Sequence, residues 1–422
     1  MAIPVFIRKG GGMSKMLVKR SVSSRVGNSD FSMMRQLLPQ QPWWQNLESN
    51  FHKLPDDFEL DIRTQMVVKG TAAVDVALRT AVASLVSVSA LPLSASPMKL
   101  KRDMDDSEIY SEKAKAGDPS LFFKKPPSGV VVHEGPAPWP HFRPENGSCT
   151  QLSFDSPFVP TNPRLREGYR KNSHNMKAIA QYWRHDSGPR PTICVIHGFL
   201  ADPYWLNSMF LGLPWFYKQG YDILLYTLPH HGKRKTATAP FSGYGYFSGG
   251  IAHINETVAH SVHDFRIFMD YLEGQGVEKM GVTGISLGGY TSSLLAAVDE
   301  RLYFSIPNVP VVSLFDLMLQ WYPASWVIKA GMALGGVRVH EARNLMAVHC
   351  PLTYKPLIPK ERLFIIGGAG DRLAPPKHAR LLWEHWDECL IHWFPGNHVL
   401  HFDRGLYLRE MRNFMKRIDF SW

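Results

Sequence analysis

Short apolar runs alternate with helical patterns along the last two thirds of the chain, and this alternation indicates the fold. The runs fall at 150–154, 177–183, 192–196, 222–226, 279–283, 302–306, 363–366 and 390–394. The later runs are apolar throughout, which is typical of strands buried on both faces of a sheet. The pattern therefore predicts an α/β fold, a mostly parallel sheet with helices on both faces, in which ligands bind outside the carboxyl ends of the strands.

The helical pattern is clearest just before the run at 279–283. Apolar residues recur there at steps of four, three, four and three, which places them on one face of a helix. They are Val258, Val262, Phe265, Met269 and Leu272. Glycines at 274 and 276 are typical of a helix end, so we expect this helix to lead directly into the next strand.

The first 129 residues follow a different pattern and are predicted to form an N-terminal extension. Residues 1–60 mix Gly, Ser, Gln and Pro, which predicts a loosely ordered arm. Apolar residues are dense at 64–91, but the uninterrupted part is shorter than the ~20 residues of a membrane-spanning helix. We expect an amphipathic helix that covers the main domain or pairs with another copy, with a peripheral membrane contact as the alternative. Charges at 99–112 and Pro and Gly at 117–140 predict a linker, and the main domain extends over 130–422.

Composition excludes several classes of protein. The chain has 422 residues, 45% of them hydrophobic, which is enough for a substantial core. Its net charge is +10, but no zinc-finger spacing or RNA-binding signature accompanies the charge, so we expect no nucleic-acid partner. The four cysteines lie far apart, which argues against disulfides and a thiolate metal site. Residues 1–19 lack the pattern of a secretory signal. A cytoplasmic protein is expected, with membrane association as the alternative.

A motif that follows the run at 279–283 is the strongest indication of chemistry. Residues 284–288 read Gly-x-Ser-x-Gly, between a predicted strand and a predicted helix, with Ser286 at the centre. The glycines of such a turn allow a sharp bend, and the serine oxygen stands clear of the sheet. By itself the motif is equally compatible with an ordinary tight turn, so the neighbouring stretches decide its meaning.

The stretch after the run at 192–196 is suited to bind a negatively charged oxygen. It reads His-Gly-Phe-Leu, and its glycine lets the chain turn so that backbone N–H groups face a substrate carbonyl. We expect the N–H groups of Phe199 and Leu287 to form the oxyanion hole.

Two further strand ends supply an acid and a base. Asp371 follows the run at 363–366, and His398 follows the run at 390–394. A serine becomes a nucleophile when an imidazole removes its proton and a carboxylate orients the imidazole. Ser286, Asp371 and His398 follow one another in the chain order of such a triad. Their competitors are Glu384, Asp387 and Asp403 as the acid and His401 as the base.

Together these motifs resemble the α/β-hydrolase superfamily, over about residue 130 to the C-terminus. The resemblance rests on 197–199, 284–288, 370–371 and 396–398. It implies the α/β-hydrolase fold, serine hydrolase chemistry and a structural role for His197. The segment 228–232 is similar to the family's loop after strand four, except that His230 replaces the usual glycine. We expect this departure to narrow the loop without affecting the triad.

The segment between the runs at 302–306 and 363–366 lies where α/β-hydrolases insert a cap. It is apolar and aromatic, so a helical cap at about 311–360 is predicted. These side chains either line a dry acyl pocket, or pack the cap onto the main domain, or do both. Other histidines, including His260 and His263 and the adjacent pair His230 and His231, lack the spacing of a metal site. Neither a metal nor a cofactor is expected.

These patterns predict a serine hydrolase, carboxylesterase- or lipase-like, that cleaves small-molecule carboxylic esters with apolar acyl groups through an acyl-enzyme on Ser286. One alternative is an acyltransferase with the same triad, which a His-x-x-x-x-Asp pattern from His398 to Asp403 keeps open. The other alternative is a non-catalytic binding protein that keeps the fold. The oligomeric state has no sequence signature.

Overall fold

A nine-stranded sheet runs through the part of the chain that the computed structural model describes, which comprises residues 3–9, 12–18, 41–56, 58, 62–94, 97–200, 207–208, 211–399, 401 and 404–422. The strands are β1 (Ile3–Lys9), β2 (Gly12–Val18), β3 (His133–Pro136), β4 (Gly147–Asp155), β5 (Lys177–His185), β6 (Thr192–Ile196), β7 (Asp222–Tyr226), β8 (Met280–Ile285), β9 (Leu302–Asn308), β10 (Phe364–Gly368) and β11 (Leu390–Phe394). β1 and β2 form a separate antiparallel pair. The large sheet has the order β11-β10-β9-β8-β6-β7-β5-β4-β3.

The large sheet is mixed, with its parallel part at the end that carries the candidate chemistry. Strands β6 to β11 are parallel to one another, whereas β3, β4 and β5 pair antiparallel with their neighbours. The carboxyl ends of the parallel strands therefore meet at one edge of the sheet. Loops that are distant in sequence come together at this edge, where open α/β sheets bind their ligands.

All eight apolar runs of the sequence coincide with strands of this sheet, and two of them, 279–283 and 363–366, begin one residue before the strand, so the predicted strands are confirmed. The sequence pattern missed β3, which falls in the segment 117–140 that was expected to be a linker. Gly135 and Pro136 lie in this strand, and proline is tolerated there because β3 is at the edge of the sheet.

Helices cover both faces of the sheet. They are α1 (Trp43–Asn46), α2 (Ile62–Ser94), α3 (Pro97–Ala116), α4 (Arg166–Arg170), α5 (Leu213–Lys218), α6 (Ile251–Gly274), α7 (Leu287–Leu295), α8 (Leu314–Gln320), α9 (Ala324–Gly335), α10 (Val339–Met346), α11 (Pro376–His385) and α12 (Arg404–Arg417). Alternate residues of β6 enter different cores, because successive side chains of a strand point to opposite faces. Cys194 and Ile196 belong to the core that contains α6 and α7, whereas Ile193 and Val195 belong to the core that contains α5 and α12.

The helix predicted from the apolar spacing before 279–283 is confirmed as α6. Its five apolar residues are all at most 1% exposed and belong to one core. They are Val258, Val262, Phe265, Met269 and Leu272. The regular spacing of the sequence is therefore the buried face of this helix.

Two long helices of the N-terminal region differ in how well the sequence predicted them. α2 agrees with the helix expected at 64–91. The linker expected across 99–112 is wrong, because these residues lie in α3. α3 buries a narrow stripe that includes Ser107, Tyr110 and Ala114, and most of its charged residues are exposed. Those charges suggested a linker although they form the solvent face of an amphipathic helix.

The arm expected at 1–60 contains β1, β2 and α1, and its residues 19–40 lie outside the described residues. The division of the chain at residue 130 stays a prediction. Among the helices that are described, none combines the length and the apolar character that crossing a membrane requires.

The segment predicted to be a cap contains three α-helices, α8, α9 and α10, between β9 and β10. A fully buried ion pair joins two of them, because Arg343 of α10 donates from Nε and Nη2 to the carboxylate of Asp316 on α8, at 2.9 and 2.7 Å. Arg343 also donates to the carbonyl oxygens of Leu47 and Glu48, at 2.6 and 2.8 Å. This arginine therefore connects the cap to the N-terminal region.

Candidate active site

Ser286 lies on a sharp turn between β8 and α7. Its φ of 58° and ψ of −113° are unusual for a residue with a side chain, and such strain is typical of functional turns. The turn is held by two backbone hydrogen bonds, from Ser286 N–H to the carbonyl of Asn308 at 3.0 Å and from Tyr290 N–H to the carbonyl of Ser286 at 2.8 Å.

Both glycines of the motif are required by close packing. A Cβ on Gly284 would lie 2.5 Å from backbone atoms of Gly288, and a Cβ on Gly288 would lie 2.1 Å from the carbonyl oxygen of Ile196. The start of α7 therefore packs directly against the end of β6. This approach excludes any larger residue and distinguishes the motif from an ordinary tight turn.

The predicted oxyanion loop lies beside Ser286. Ile196, the last residue of β6, pairs in register with Gly284 of β8. A Cβ placed on Gly198 would lie 3.5 Å from Cβ of Ser286. Leu287 is the first residue of α7, and N–H groups of a first helical turn have no acceptor within the helix. Phe199, Ser286 and Leu287 line one cavity, so the groups chosen from the sequence are brought together.

His197 has both ring nitrogens occupied by the backbone. Its Nδ1 donates to the carbonyl of Gly198 at 2.8 Å, and its Nε2 accepts the N–H of Leu228 at 3.1 Å. Burial lowers the pKa of His197 to about 4. A neutral imidazole that joins the loops after β6 and β7 agrees with the structural role implied by the family resemblance.

His230 explains why the related loop usually carries glycine. Its φ is 63°, a conformation that glycine adopts freely and other residues adopt at a cost of about 1–3 kcal/mol. The side chain of Asn175 compensates, because it accepts the N–H of His230 at 2.8 Å and donates to Nε2 of His230 at 3.1 Å. The His230 ring packs against Gly245, where a Cβ would lie 2.1 Å from Nδ1.

Asp371 and His398 meet at the carboxyl edge of the sheet, in the loops after β10 and β11. Nδ1 of His398 donates to Oδ2 of Asp371 at 2.6 Å. The second oxygen, Oδ1, accepts the N–H groups of Leu373 and Ala374 at 2.9 and 2.8 Å, so the carboxylate is fixed in orientation. The contact leaves Nε2 as the nitrogen of His398 that can exchange a proton with a reacting group.

The environment of His398 favours its protonated form. Burial alone would lower the pKa of His398, but the charge of Asp371, its hydrogen bond and the more distant charge of Asp75 together raise the pKa. Both ring nitrogens of His401, the competing base, have other hydrogen-bond partners. Its Nε2 lies 3.0 Å from the carbonyl oxygen of His398, and its Nδ1 lies 3.0 Å from the hydroxyl of Tyr407. Of the competing acids, Asp387 is 76% exposed and Asp403 lies outside the described residues.

One residue at the site was not identified from the sequence. Asp75 of α2 is fully buried, and its Oδ2 accepts the N–H of Arg372 at 2.9 Å and the N–H of His398 at 3.0 Å. In the sequence it only interrupts an apolar run. A carboxylate among apolar residues of a helix is the one signal that was available, since buried charges require partners.

Two apolar cavities lie next to each other beneath the predicted cap, and Ser286 lines one of them. The first encloses about 430 Å³, part of it open to solvent, and is lined by Ser286, Phe199, Leu317 and Trp321 among others. The second encloses about 1000 Å³, also partly open, between α2, α3, α6 and the cap helices. Val86, Phe247 and Met318 line both cavities. The two spaces are therefore neighbours, and one of them contains the candidate nucleophile.

The histidines considered as metal ligands have other partners. His260 and His230 lie in a buried network, in which Nε2 of His260 is 3.0 Å from the carboxylate of Asp264 and Arg234 donates to the same carboxylate at 2.7 Å. Within the described ranges, no group of three His, Cys, Asp or Glu side chains has the arrangement of a metal site.

Comparisons with known proteins identify the fold. No protein-family model matches the chain. An acetyl xylan esterase from Paenibacillus sp. R4 is similar with a TM-score of 0.50 and 12% sequence identity, over 74% of this chain and 94% of that chain. Acetyl xylan esterase 1 from Thermoanaerobacterium sp. JW/SL YS485 has a TM-score of 0.49 and 15% identity, over 74% and 93% of the two chains. The strand order and the similarity to the Paenibacillus enzyme show the α/β-hydrolase fold, which confirms the predicted fold.

A relative by sequence is a protein of Mycobacterium tuberculosis (strain ATCC 25618 / H37Rv) that is described as uncharacterized. It is 29% identical over 325 residues, which cover 73% of this chain and 72% of the relative. The match from strain CDC 1551 / Oshkosh of the same species has the same identity and coverage. This coverage exceeds the length of the main domain, so the similarity includes part of the N-terminal region.

Proposed function

We propose that the protein is a serine hydrolase that cleaves carboxylic esters with apolar acyl groups. Nε2 of His398 removes the proton of Ser286, and Oγ of Ser286 attacks the ester carbonyl carbon. The N–H groups of Phe199 and Leu287 hold the resulting oxyanion. As the tetrahedral intermediate collapses, the alcohol leaves with the proton from His398 and the acyl group stays on Ser286. Water, deprotonated by His398, then releases the carboxylic acid.

The contact between His398 and Asp371 carries this proposal. Nδ1 of His398 is engaged by a carboxylate at 2.6 Å, in loops at the same sheet edge as the Ser286 turn. This pairing holds one tautomer of the imidazole and directs its free nitrogen to the reaction. The esterase activity named for the Paenibacillus neighbour is in keeping with ester hydrolysis.

The lining of the two cavities supports an apolar acyl group. Apart from Ser286, the residues around the first cavity are apolar, and three of them continue into the second cavity. The polar side chains of the second cavity are Ser87 and Asp103, and the Asp103 carboxylate accepts the N–H groups of Ile251 and Ala252 at 2.8 and 3.3 Å. A chain of methylene groups is the chemistry that such walls accept. We therefore propose medium- or long-chain acyl esters as substrates.

Labelling by a fluorophosphonate probe tests the nucleophile. The wild type is expected to be labelled, and Ser286→Ala is expected to lose the label. Ser293→Ala on the same helix is a matched control, because Ser293 donates to the carbonyl of Gly289 and is fully buried away from the first cavity. Equal labelling of wild type and Ser286→Ala would contradict the proposal.

Hydrolysis of p-nitrophenyl esters of increasing acyl length tests the substrate class. The rate is expected to rise from acetate to medium or long chains, and a strict preference for acetate would contradict an apolar acyl site. Adding an alcohol acceptor and analysing the products distinguishes hydrolysis from acyl transfer, because a transferase would form a new ester.

A further inference from the structure

Asp75 connects the N-terminal helix α2 to both loops that carry the acid and base. Its Oδ2 atom accepts two N–H groups, those of Arg372 and His398, at 2.9 and 3.0 Å. Arg372 directly follows Asp371, and His398 is the base itself. One carboxylate oxygen therefore fixes the backbone at the two points from which the catalytic pair extends.

Other contacts near Asp75 also hold α2 and the loops of Asp371 and His398 together. Arg79, one turn further along α2, donates to the carbonyl of Arg372 at 3.3 Å. The two loops are joined to each other, because Gly370 N–H donates to the carbonyl of Gly396 at 2.8 Å. A Cβ placed on Gly370 would lie 3.2 Å from Cγ1 of Val68, so α2 also packs directly on the acid loop.

The carboxylate of Asp75 is an unusual choice for a purely structural connection. It is fully buried, and its Oδ1 atom has no hydrogen-bond partner among the described residues. A buried carboxylate is unfavourable even with the charge of Arg79 nearby, and a neutral amide would provide the same acceptor oxygen. Burial and the nearby charge of Asp371 raise the pKa of Asp75, while the two N–H groups oppose this shift. The position therefore keeps a charge that the backbone contacts do not require.

The effect of the Asp75 charge depends on the charged and titratable groups around it. His398 is faced by Asp371, Asp75 and His401, and Asp75 is faced by Asp371, His398 and Arg79. His398 becomes positively charged when it takes the proton of Ser286. A second carboxylate near the imidazole stabilises this positive charge.

We propose that Asp75 is a positioning residue of the active site, which holds the loops of Asp371 and His398 in register and supplies a second negative charge to the imidazole. The inference rests on the proposed function of the triad. It gives helix α2 a direct role in catalysis, in addition to the wall that Val86 contributes to the cavities.

The rate of fluorophosphonate labelling of the full-length chain, measured between about pH 5 and 9, tests this role. Asp75→Ala removes the acceptor and the charge, and its rate is expected to fall about tenfold to a hundredfold because the loops lose their register. Asp75→Asn keeps the acceptor and the size but removes the charge. It is expected to keep most of the rate at high pH, with the acid limb of its pH profile moved to lower pH. Val76→Asn changes the neighbouring residue, which is 41% exposed, and is expected to behave as the wild type.

The outcomes separate this inference from the proposed function. A wild type that is not labelled at Ser286 overturns both. If the wild type is labelled, a folded Asp75→Ala with an unchanged rate overturns the positioning role, and an Asp75→Asn profile with an unshifted acid limb overturns the role of the charge. Thermal unfolding establishes whether Asp75→Ala folds, and if it does not, the profile of Asp75→Asn decides.

Discussion

Nδ1 of His398 lies 2.6 Å from Oδ2 of Asp371, in loops that follow the neighbouring strands β11 and β10. Residues 27 positions apart in the chain are thus brought into contact by the pairing of two parallel strands. The charge of Asp371, its hydrogen bond to the imidazole and the charge of Asp75 together outweigh the burial of His398, so the net shift of the His398 pKa is upward.

This contact predicts the pH dependence of activity. His398 must be neutral to accept the proton of Ser286, and its raised pKa means that activity is lost as the pH falls through a value above the roughly 6.5 of a free imidazole. Asp371→Asn removes the charge and the tautomer control, so kcat is expected to fall about 10³- to 10⁴-fold. The profile of kcat/KM for a p-nitrophenyl ester measures the first effect, and kcat at high pH measures the second. Asp387→Asn, at an exposed competing carboxylate, should change neither, and an active Asp371→Asn would refute the assignment of the acid.

The packing of the serine turn predicts that alanine substitutions at two glycines differ sharply in their effect on stability. Gly288→Ala would bring a Cβ to 2.1 Å from the carbonyl oxygen of Ile196, so backbone must move and the free energy of unfolding is expected to fall by about 1–3 kcal/mol or more. Gly274→Ala, at the end of α6, has no atom within 4 Å of the new Cβ and should leave stability unchanged or higher. Chemical denaturation of both variants checks this prediction, which fails if they are equally stable.

The residues shared by the two cavities predict a change in chain-length selectivity. Val86→Phe adds bulk where the cavities adjoin, so kcat/KM for a dodecanoate ester is expected to fall roughly tenfold or more. A butyrate ester needs only the cavity at Ser286 and serves as the control within the same variant. An equal loss for both esters would show that the second cavity takes no part in binding.

The buried ion pair of the cap predicts a large effect on stability. Arg343→Ala leaves the carboxylate of Asp316 buried without its partner and also removes the donors to Leu47 and Glu48. The free energy of unfolding is expected to fall by about 3–5 kcal/mol. Arg338→Ala, five residues earlier in the chain and exposed just before α10, should leave the thermal midpoint unchanged, because solvent screens the pair of Arg338 with Glu341. Similar midpoints for the two variants would contradict the structural role of Arg343.

Most of the sheet and the three residues proposed as the triad could be predicted from the sequence, because they depend on local pattern. Buried strands are continuous apolar runs, and the helix face from Val258 to Leu272 follows the helical period. Each candidate group follows a strand directly, so predicting parallel strands also predicted that Ser286, Asp371 and His398 share one edge. The chain's departure at His230 was visible too, but its positive φ and its support by Asn175 were not.

The sequence by itself determined the strands, the order of the candidate groups and the turn chemistry, since each is a property of near neighbours in the chain. Only the tertiary structure decided what surrounds them. Asp75 contacts residues 297 and 323 positions away, and no periodicity encodes such a pairing. The sequence of α3 resembled a charged linker because its buried stripe is narrow. This stripe can be recognised as the buried face of a helix only in the fold, where it packs against neighbouring elements. The space beneath the cap exists only where α2, α6 and the cap helices pack together, so its size and lining belong to the assembled fold.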